Sequence, residues 1–146
     1  MPLRSTWLAA TGVALLGLAI PADAADTDKA ETCLRTKVWD GYAEGWGIRT
    51  MTSTNLTLGA TRNYLVTLYK GNEYQIQSCC DDEVNNLDLY LYDLNGNVVL
   101  RDNTEDRQPV LQFKPEKTAT YYIVLHARSL ATESGEAAVA LAVTYR

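Results

Sequence analysis

The residues best suited to chemistry in this sequence are carboxylates that gather in two short stretches. Asp81, Asp82 and Asp88 lie in the first stretch, and Asp102 and Asp106 lie in the second. Carboxylate oxygens are the ligands that calcium prefers in proteins. If both stretches form loops at one end of the fold, these five side chains predict a calcium site. Ordinary solvated turns are also rich in acidic residues, so a purely structural role is the simpler interpretation.

A set of tyrosines forms the second candidate site. Tyr90, Tyr92 and Tyr122 occupy alternating strand positions that would share one outward face, with His126 nearby. Such a face could stack on sugar rings or anchor a protein partner. Aromatic residues on strands also pack across neighbouring strands without any ligand. Both interpretations stay open.

Three cysteines give one disulfide and one unpaired thiol. Cys79 and Cys80 are adjacent, and a bond between neighbours would be strained because their Cα atoms lie only about 3.8 Å apart. Cys33 is therefore the expected partner of Cys79, or of Cys80 if a bulge reverses which residue points outward. Zinc is disfavoured, since no C-x-x-C pair is present and His126 is the single histidine.

Enzymatic and nucleic-acid functions have little support in the sequence. It contains no G-x-S-x-G, H-E-x-x-H or phosphate-binding glycine loop. With 13 basic and 18 acidic residues, the net charge is −5. Binding to nucleic acid requires a basic stripe, which is missing. We expect a non-catalytic protein that binds no nucleic acid.

The first 24 residues are predicted to be a cleavable signal peptide. Arg4 precedes the apolar run Trp7–Ile20, and Ala22-Asp-Ala24 provides small residues on both sides of a cleavage position. The run is shorter than the roughly 20 residues that a membrane-spanning helix needs. Cleavage after Ala24 would leave a chain without a membrane span, exported to the periplasm or secreted.

Residues 25–58 are predicted to form a helix and a connecting segment. Asp28 followed by Glu31 indicates a helix start. Helical spacing then gives an apolar stripe, which ends near Gly41 and Gly45; its members are Ala30, Cys33, Leu34, Val38 and Tyr42. Trp39 and Trp46 are expected to pack this helix onto the rest of the fold.

Residues 59–146 are predicted to form an antiparallel β-sandwich. From Asn63 onward apolar residues recur at every second position, and turn residues separate six or seven short strands. On the last strand the outward residues Ala138, Ala140 and Ala142 are too small and apolar for a solvated face. The helix is the available cover, and its docking there would bring Cys33 toward Cys79.

Three segments of the sandwich resemble the bacterial pre-peptidase C-terminal domain. They are residues 87–97 (LDLYLYDLNGN), 111–113 (LQF) and 118–125 (TATYYIVL). The chain has Thr118 or Ala119 where that family often has glycine. The resemblance implies a jelly-roll-like sandwich in an exported accessory domain.

These patterns together predict a mainly β protein with one N-terminal helix packed on an antiparallel sandwich, after a signal peptide. We expect an exported, non-catalytic binding module, with calcium as its possible cofactor, that recognises a protein or glycan partner at the cell surface. The alternative is a structural or chaperone-like interaction domain without a small ligand.

Overall fold

A computed structural model describes residues 25–146, so the predicted signal peptide lies outside the described residues. One helix is followed by eight strands: α1 Thr27–Ala43, β1 Gly47–Thr57, β2 Thr61–Leu68, β3 Tyr74–Cys80, β4 Val84–Asp93, β5 Val98–Asp102, β6 Val110–Phe113, β7 Ala119–Leu130 and β8 Glu136–Tyr145. Within this part of the chain, no helix has the length and apolarity needed to cross a membrane.

The strands form two four-stranded antiparallel sheets packed face to face. The first sheet has the order β1-β8-β3-β6 and the second has the order β2-β7-β4-β5. Apart from the β4–β5 hairpin, every connection crosses from one sheet to the other, which is the jelly-roll arrangement. The predicted β-sandwich is confirmed, with eight strands instead of six or seven.

The core lies between the two sheets and follows the alternation seen in the sequence. Its largest fully buried side chains include Ile76, Leu89, Leu91, Ile123 and Leu141. Each comes from a strand position whose neighbours point outward, because successive side chains alternate across a sheet. The apolar periodicity therefore identified the core before the sheet pairing was known.

Strand β1 is the main element that the sequence analysis did not predict. Residues 47–57 had been assigned to a connecting segment, yet they pair with β8 along its whole length. This strand is rich in threonine and lacks a clear apolar alternation, with Leu56 its one buried residue. Threonine is β-branched and favours strands. The threonine content was therefore the one feature of the sequence that indicated β1.

The helix begins two residues before the predicted start. Asp26, not Asp28, is the N-cap, and its side chain accepts a hydrogen bond from the Lys29 amide at 3.0 Å. At the other end, Gly45 adopts a φ of 91°, a left-handed conformation that favours glycine. This turn leads directly into β1.

Helix α1 covers the outer face of the first sheet, as predicted. Its buried residues Ala30, Leu34 and Val38 pack on a row of small side chains; that row comprises Cys79, Ala138, Ala140 and Ala142. All three alanines are fully buried. Because the outer face of β8 carries alanine at these three positions, the helix can approach the sheet closely, and the alanine row and the helix stripe form a second core.

A disulfide between Cys33 and Cys79 joins the helix to β3 across this second core. Cys79 points outward toward the helix, whereas Cys80 points into the space between the sheets. The strand parity used in the sequence analysis therefore selected the correct cysteine. A disulfide is typical of an oxidising compartment, in agreement with the predicted periplasmic or secreted localisation.

Two aromatic residues of the helix were misplaced by the prediction. Trp46 is buried, as expected, but Trp39 has 74% of its surface exposed and Tyr42 has 65% exposed. Trp39 lies one position after Val38 and Tyr42 lies one turn after it, and both line a groove with Ile48 and Met51 of β1. Their exposure leaves an apolar surface next to that strand.

Removal of the disulfide tests how much it stabilises the fold. In the chain-entropy model, a bond between cysteines 46 positions apart stabilises the folded state by about 4 kcal/mol. We expect the double variant Cys33→Ser, Cys79→Ser to lose about this much free energy of unfolding, measured by urea denaturation. Cys80→Ala is the control, because it removes a thiol without removing the bond, and it should cost at most about 1–2 kcal/mol. Equal losses in the two variants would contradict the assignment.

Candidate functional site

Four loops gather at one end of the sandwich, together with the start of α1. They are the β1–β2, β3–β4, β5–β6 and β7–β8 connections, which the antiparallel topology places at the same end. Hydrogen bonds link them: the Ala131 amide donates to Glu83, and the Leu87 amide donates to Asp106. The two acidic stretches therefore do meet at one end, as the sequence analysis required for a calcium site.

Asp81 is buried and serves as a structural clamp at this end. One carboxylate oxygen accepts hydrogen bonds from the Asp26 amide at 2.9 Å and from the Ala138 amide at 2.8 Å. The other oxygen accepts from the Glu83 amide at 3.1 Å. This single side chain thus ties the start of α1 to β8 and to the β3–β4 turn, and its lone pairs are engaged by the backbone.

Asp82 points the opposite way, into solvent, where two cations flank it. It forms an ion pair with Lys29, and the Arg107 guanidinium lies 3.5 Å from its second oxygen. The hydrogen bond from Lys29 holds the pKa of Asp82 below its usual value. Arg107 also donates to the backbone carbonyls of Val84 and Asp81, each at 2.7 Å. Arg107 therefore braces the β3–β4 loop.

Asp102 and Asp106 each organise the β5–β6 loop locally. Asp102 accepts a hydrogen bond from the Thr104 hydroxyl at 2.8 Å and one from the Val110 amide at 3.2 Å. Asp106 accepts one from the Gln108 amide at 2.9 Å. Among residues 25–146, no three His, Cys, Asp or Glu side chains form a group suited to hold a metal ion. Asp81, Asp82, Asp102 and Asp106 lie at this end of the fold, whereas Asp88 lies within β4, and the five carboxylates do not converge.

The tyrosines lie on the outer face of the second sheet, which α1 does not cover. The strand register aligns Leu65, Tyr122, Tyr92 and Val98 in one row across β2, β7, β4 and β5. Leu65 is 64% exposed, and Tyr122 and Val98 are also exposed. Neighbouring strands lie about 4.8 Å apart, so this apolar row is about 14 Å long. We call the row, with Tyr90 beside it, the tyrosine face.

Asp88 anchors one side of the tyrosine face. It is 1% exposed, and one of its oxygens lies 3.3 Å from the Tyr90 hydroxyl, which donates to it. The same oxygen lies 3.4 Å from His126 Nδ1 and 3.5 Å from an Arg128 nitrogen. Burial, followed by the negative charge of Asp88, raises the pKa of Tyr90. Asp88 is therefore a positioning group for three side chains of this face.

The Tyr90 and Tyr92 rings reinforce one another on this surface. Their centroids are 5.8 Å apart with an interplanar angle of 28°, which is a stacked arrangement that restrains both rings. Arg101 pairs with Tyr90 across the sheet and is exposed. The face thus combines a restrained apolar row with exposed guanidinium groups at Arg101 and Arg128.

Leu65 and Val98 belong to this face but were not predicted as site residues. Leu65 alternates with Tyr64 and Val66 along β2, so strand parity could have placed it outward. Val98 follows a hairpin turn and reaches the row through an irregularity in the β4–β5 register. Such an irregularity changes strand parity, and the sequence gives no direct sign of it.

The unpaired cysteine does not form a reactive site. Cys80 is buried, and its thiol lies 3.1 Å from the Arg107 carbonyl oxygen. Burial raises its pKa from 9.0 to about 11. The thiol is therefore neutral at physiological pH, and the nucleophilic thiolate is a minor form.

Comparisons with known proteins identify no family for this chain. No family model matches it, and neither does any curated protein. Among solved structures, it is similar to PliG of Aeromonas hydrophila, a periplasmic inhibitor of g-type lysozyme, with 14% sequence identity and a TM-score of 0.47. The similarity covers 66% of this chain and 85% of that chain. Membership of the pre-peptidase C-terminal family stays a prediction.

The clamp role of Asp81 predicts a sharp difference between two adjacent aspartates. Hydrogen bonds to a buried charged group each contribute about 1.5–3 kcal/mol, so Asp81→Asn should lower the free energy of unfolding by at least about 2 kcal/mol. Asp82→Asn, which changes an exposed carboxylate of the same loop, should leave it nearly unchanged. Urea denaturation of both variants measures the difference. Similar losses would show that Asp81 is not a clamp.

The calcium hypothesis is tested by a thermal melt of residues 25–146 in calcium and in a chelator. The five carboxylates do not converge, and each already accepts hydrogen bonds or pairs with a cation of the protein. Asp88 Oδ1 is the one buried oxygen among them that lacks a partner within residues 25–146. We therefore expect the same Tm in both buffers. A calcium-dependent rise of several degrees that Asp88→Ala abolishes would establish a metal site, since a ligand that binds only the folded state stabilises it.

Proposed function

We infer that this protein is an exported, non-catalytic binding module whose tyrosine face binds a protein surface. The observation that carries this proposal is the unequal cover of the two sheets. Helix α1 buries the outer face of the first sheet, whereas the outer face of the second sheet carries an exposed apolar row without a covering element among the described residues. Exposed apolar patches on soluble proteins are characteristic of interaction sites.

The residue types on this face favour a protein partner. Tyrosine and arginine are enriched among the residues that carry most of the binding energy in protein interfaces. The rings of Tyr90 and Tyr92 are already restrained by their contact and by the bond from Tyr90 to Asp88. Less side-chain entropy is then lost on binding. The partner would present an apolar centre flanked by carboxylates that pair with Arg101 and Arg128.

A non-catalytic role is supported by the chemistry of the described residues. His126 is the one histidine of the sequence, and its neighbour Asp88 is shared with Tyr90 and Arg128. Thr61 lies opposite His126 in the strand register, but among the described residues no serine or threonine hydroxyl forms a hydrogen bond with His126 or Asp88, and the Cys80 thiol is buried. The network orients a surface and does not assemble a nucleophile with its base.

The test compares two tyrosines of similar exposure. The exported chain is immobilised and exposed to soluble envelope proteins of its source, and in parallel to a panel of glycans. For a protein that binds, we expect Tyr122→Ala to weaken the Kd at least tenfold, because truncation of a central aromatic anchor costs about 2 kcal/mol or more. Titration calorimetry measures the change.

Tyr69→Ala is the matched control. Tyr69 is 46% exposed against 39% for Tyr122, and it follows β2 outside the tyrosine face. Its truncation should leave the Kd unchanged. Equal weakening by both variants, or the absence of any bound protein, would refute the proposal. Binding to a glycan that Tyr122→Ala abolishes would assign the face to a sugar ligand instead.

A further inference from the structure

We propose that the protein forms a symmetric homodimer through the free edge of β1. This strand is the outermost member of the first sheet and pairs only with β8 among the described residues. It has 11 residues, without proline, and its single charge, Arg49, lies at a register irregularity between Ile48 and Thr50. Edge strands of monomeric proteins are usually protected by charges, proline, bulges or short length. In β1 the charge and the irregularity coincide at Arg49, and the segment of residues 50–57 is uncharged and pairs regularly with β8. Length, composition and exposure therefore leave this edge able to pair.

An exposed apolar groove lies directly beside this edge. Trp39 and Tyr42 of α1 overhang Ile48 and Met51 of β1, and all four are exposed. The two aromatic rings stack with centroids 6.0 Å apart. The groove between helix and strand has a volume of about 550 Å³. The edge of β1 thus has backbone N–H and C=O groups available for hydrogen bonds to another strand. On one face it also has an exposed apolar surface that a partner could bury.

A second copy meets both requirements at once. Two identical edge strands can pair antiparallel around a two-fold axis perpendicular to the sheet, because each strand then presents the same groups to the other. Such an axis keeps both helices on the same side of the combined sheet. The groove of each copy then faces the groove of its partner across the axis.

The position of the groove selects a register centred near Met51. There the two Met51 side chains lie next to each other at the axis, and the irregularity at Arg49 of each copy lies near Ser53 of the other, at the end of the regularly paired segment. The Arg49 guanidinium already lies over the Tyr69 ring of its own chain, 5.2 Å from the ring centroid. The pairing therefore sets no like charges directly opposite each other, which would otherwise oppose association of two chains of charge −5.

The exposed groove supplies more than half of the area that a dimer needs. A buried aromatic side chain removes about 150–250 Å² from water, so the four groove residues at their observed exposures offer on the order of 500 Å² per copy. A standard interface buries about 800 Å² per partner. Paired backbone along β1 and the flanking side chains of α1 supply the remainder. This surface is separate from the tyrosine face, and the proposal does not depend on the proposed function.

Sedimentation equilibrium of the exported chain between about 1 and 100 μM tests the dimer. We expect a mass twice that of one chain at the upper end of this range. Met51→Lys places a charge at the axis and should give the monomer mass throughout. Leu65→Lys makes the same kind of change on the second sheet, and it should leave the dimer intact.

A cysteine at the axis gives a second readout that does not depend on affinity. Cys33 and Cys79 are bonded and Cys80 is buried, so Met51→Cys would be the one accessible thiol. Mild oxidation should link it to the same residue of a second copy, whereas Leu65→Cys should stay unlinked. A monomeric chain at the highest concentration, or a dimer unaffected by Met51→Lys, would overturn the proposal. A monomer that binds an extended peptide along β1 would identify a strand of another protein as the occupant.

Discussion

The packing of α1 on the alanine row of β8 is the interaction on which the rest of this structure depends. Alanine side chains are small enough to let a helix pack closely, and they are apolar, so their removal from water stabilises the fold. The helix stripe of Ala30, Leu34 and Val38 provides the cover. Two further links fix the helix in place: the disulfide near its middle and the Asp81 carboxylate at its start. Position, direction and depth of the helix follow from these three constraints.

This packing makes the two outer faces of the sandwich unequal. Helix α1 covers the outer face of the first sheet. The exposed apolar surface that remains there lies at the β1 edge, beside Trp39. The second sheet keeps an open face with an aliphatic and aromatic row. The molecule therefore offers two surfaces of different geometry, an edge with a groove and a flat sheet face. A homodimer through the edge would leave both tyrosine faces free, on the side of the dimer opposite the two helices.

The sequence predicted those parts of the fold in which apolar and polar residues alternate along a strand. Strand parity identified the core, the outward alanines and the choice of Cys79 over Cys80. Strand parity did not identify β1, because this threonine-rich strand shows no alternation of apolar and polar residues. It also did not place Val98, because the β4–β5 register is irregular there. The predicted acidic site shows a different limit. The sequence indicated a metal site only on the condition that both acidic stretches lie at one end. It could not show which N–H group each carboxylate accepts from, because that depends on tertiary contacts such as the one between Asp81 and Ala138.

Hydrogen exchange of residues 25–146 tests most directly whether the packing of α1 on β8 holds the helix in place. The measurement compares the native protein with the Cys33→Ser, Cys79→Ser variant. If the helix is held over β8 as described, its amides in residues 27–43 are protected in the native protein and lose protection in the variant. The amides of β7 and β4, which belong to the second sheet, should lose much less, because local opening of a docked element requires less free energy than global unfolding. A helix that exchanges freely in the native protein, or a uniform loss across both sheets, would contradict the account.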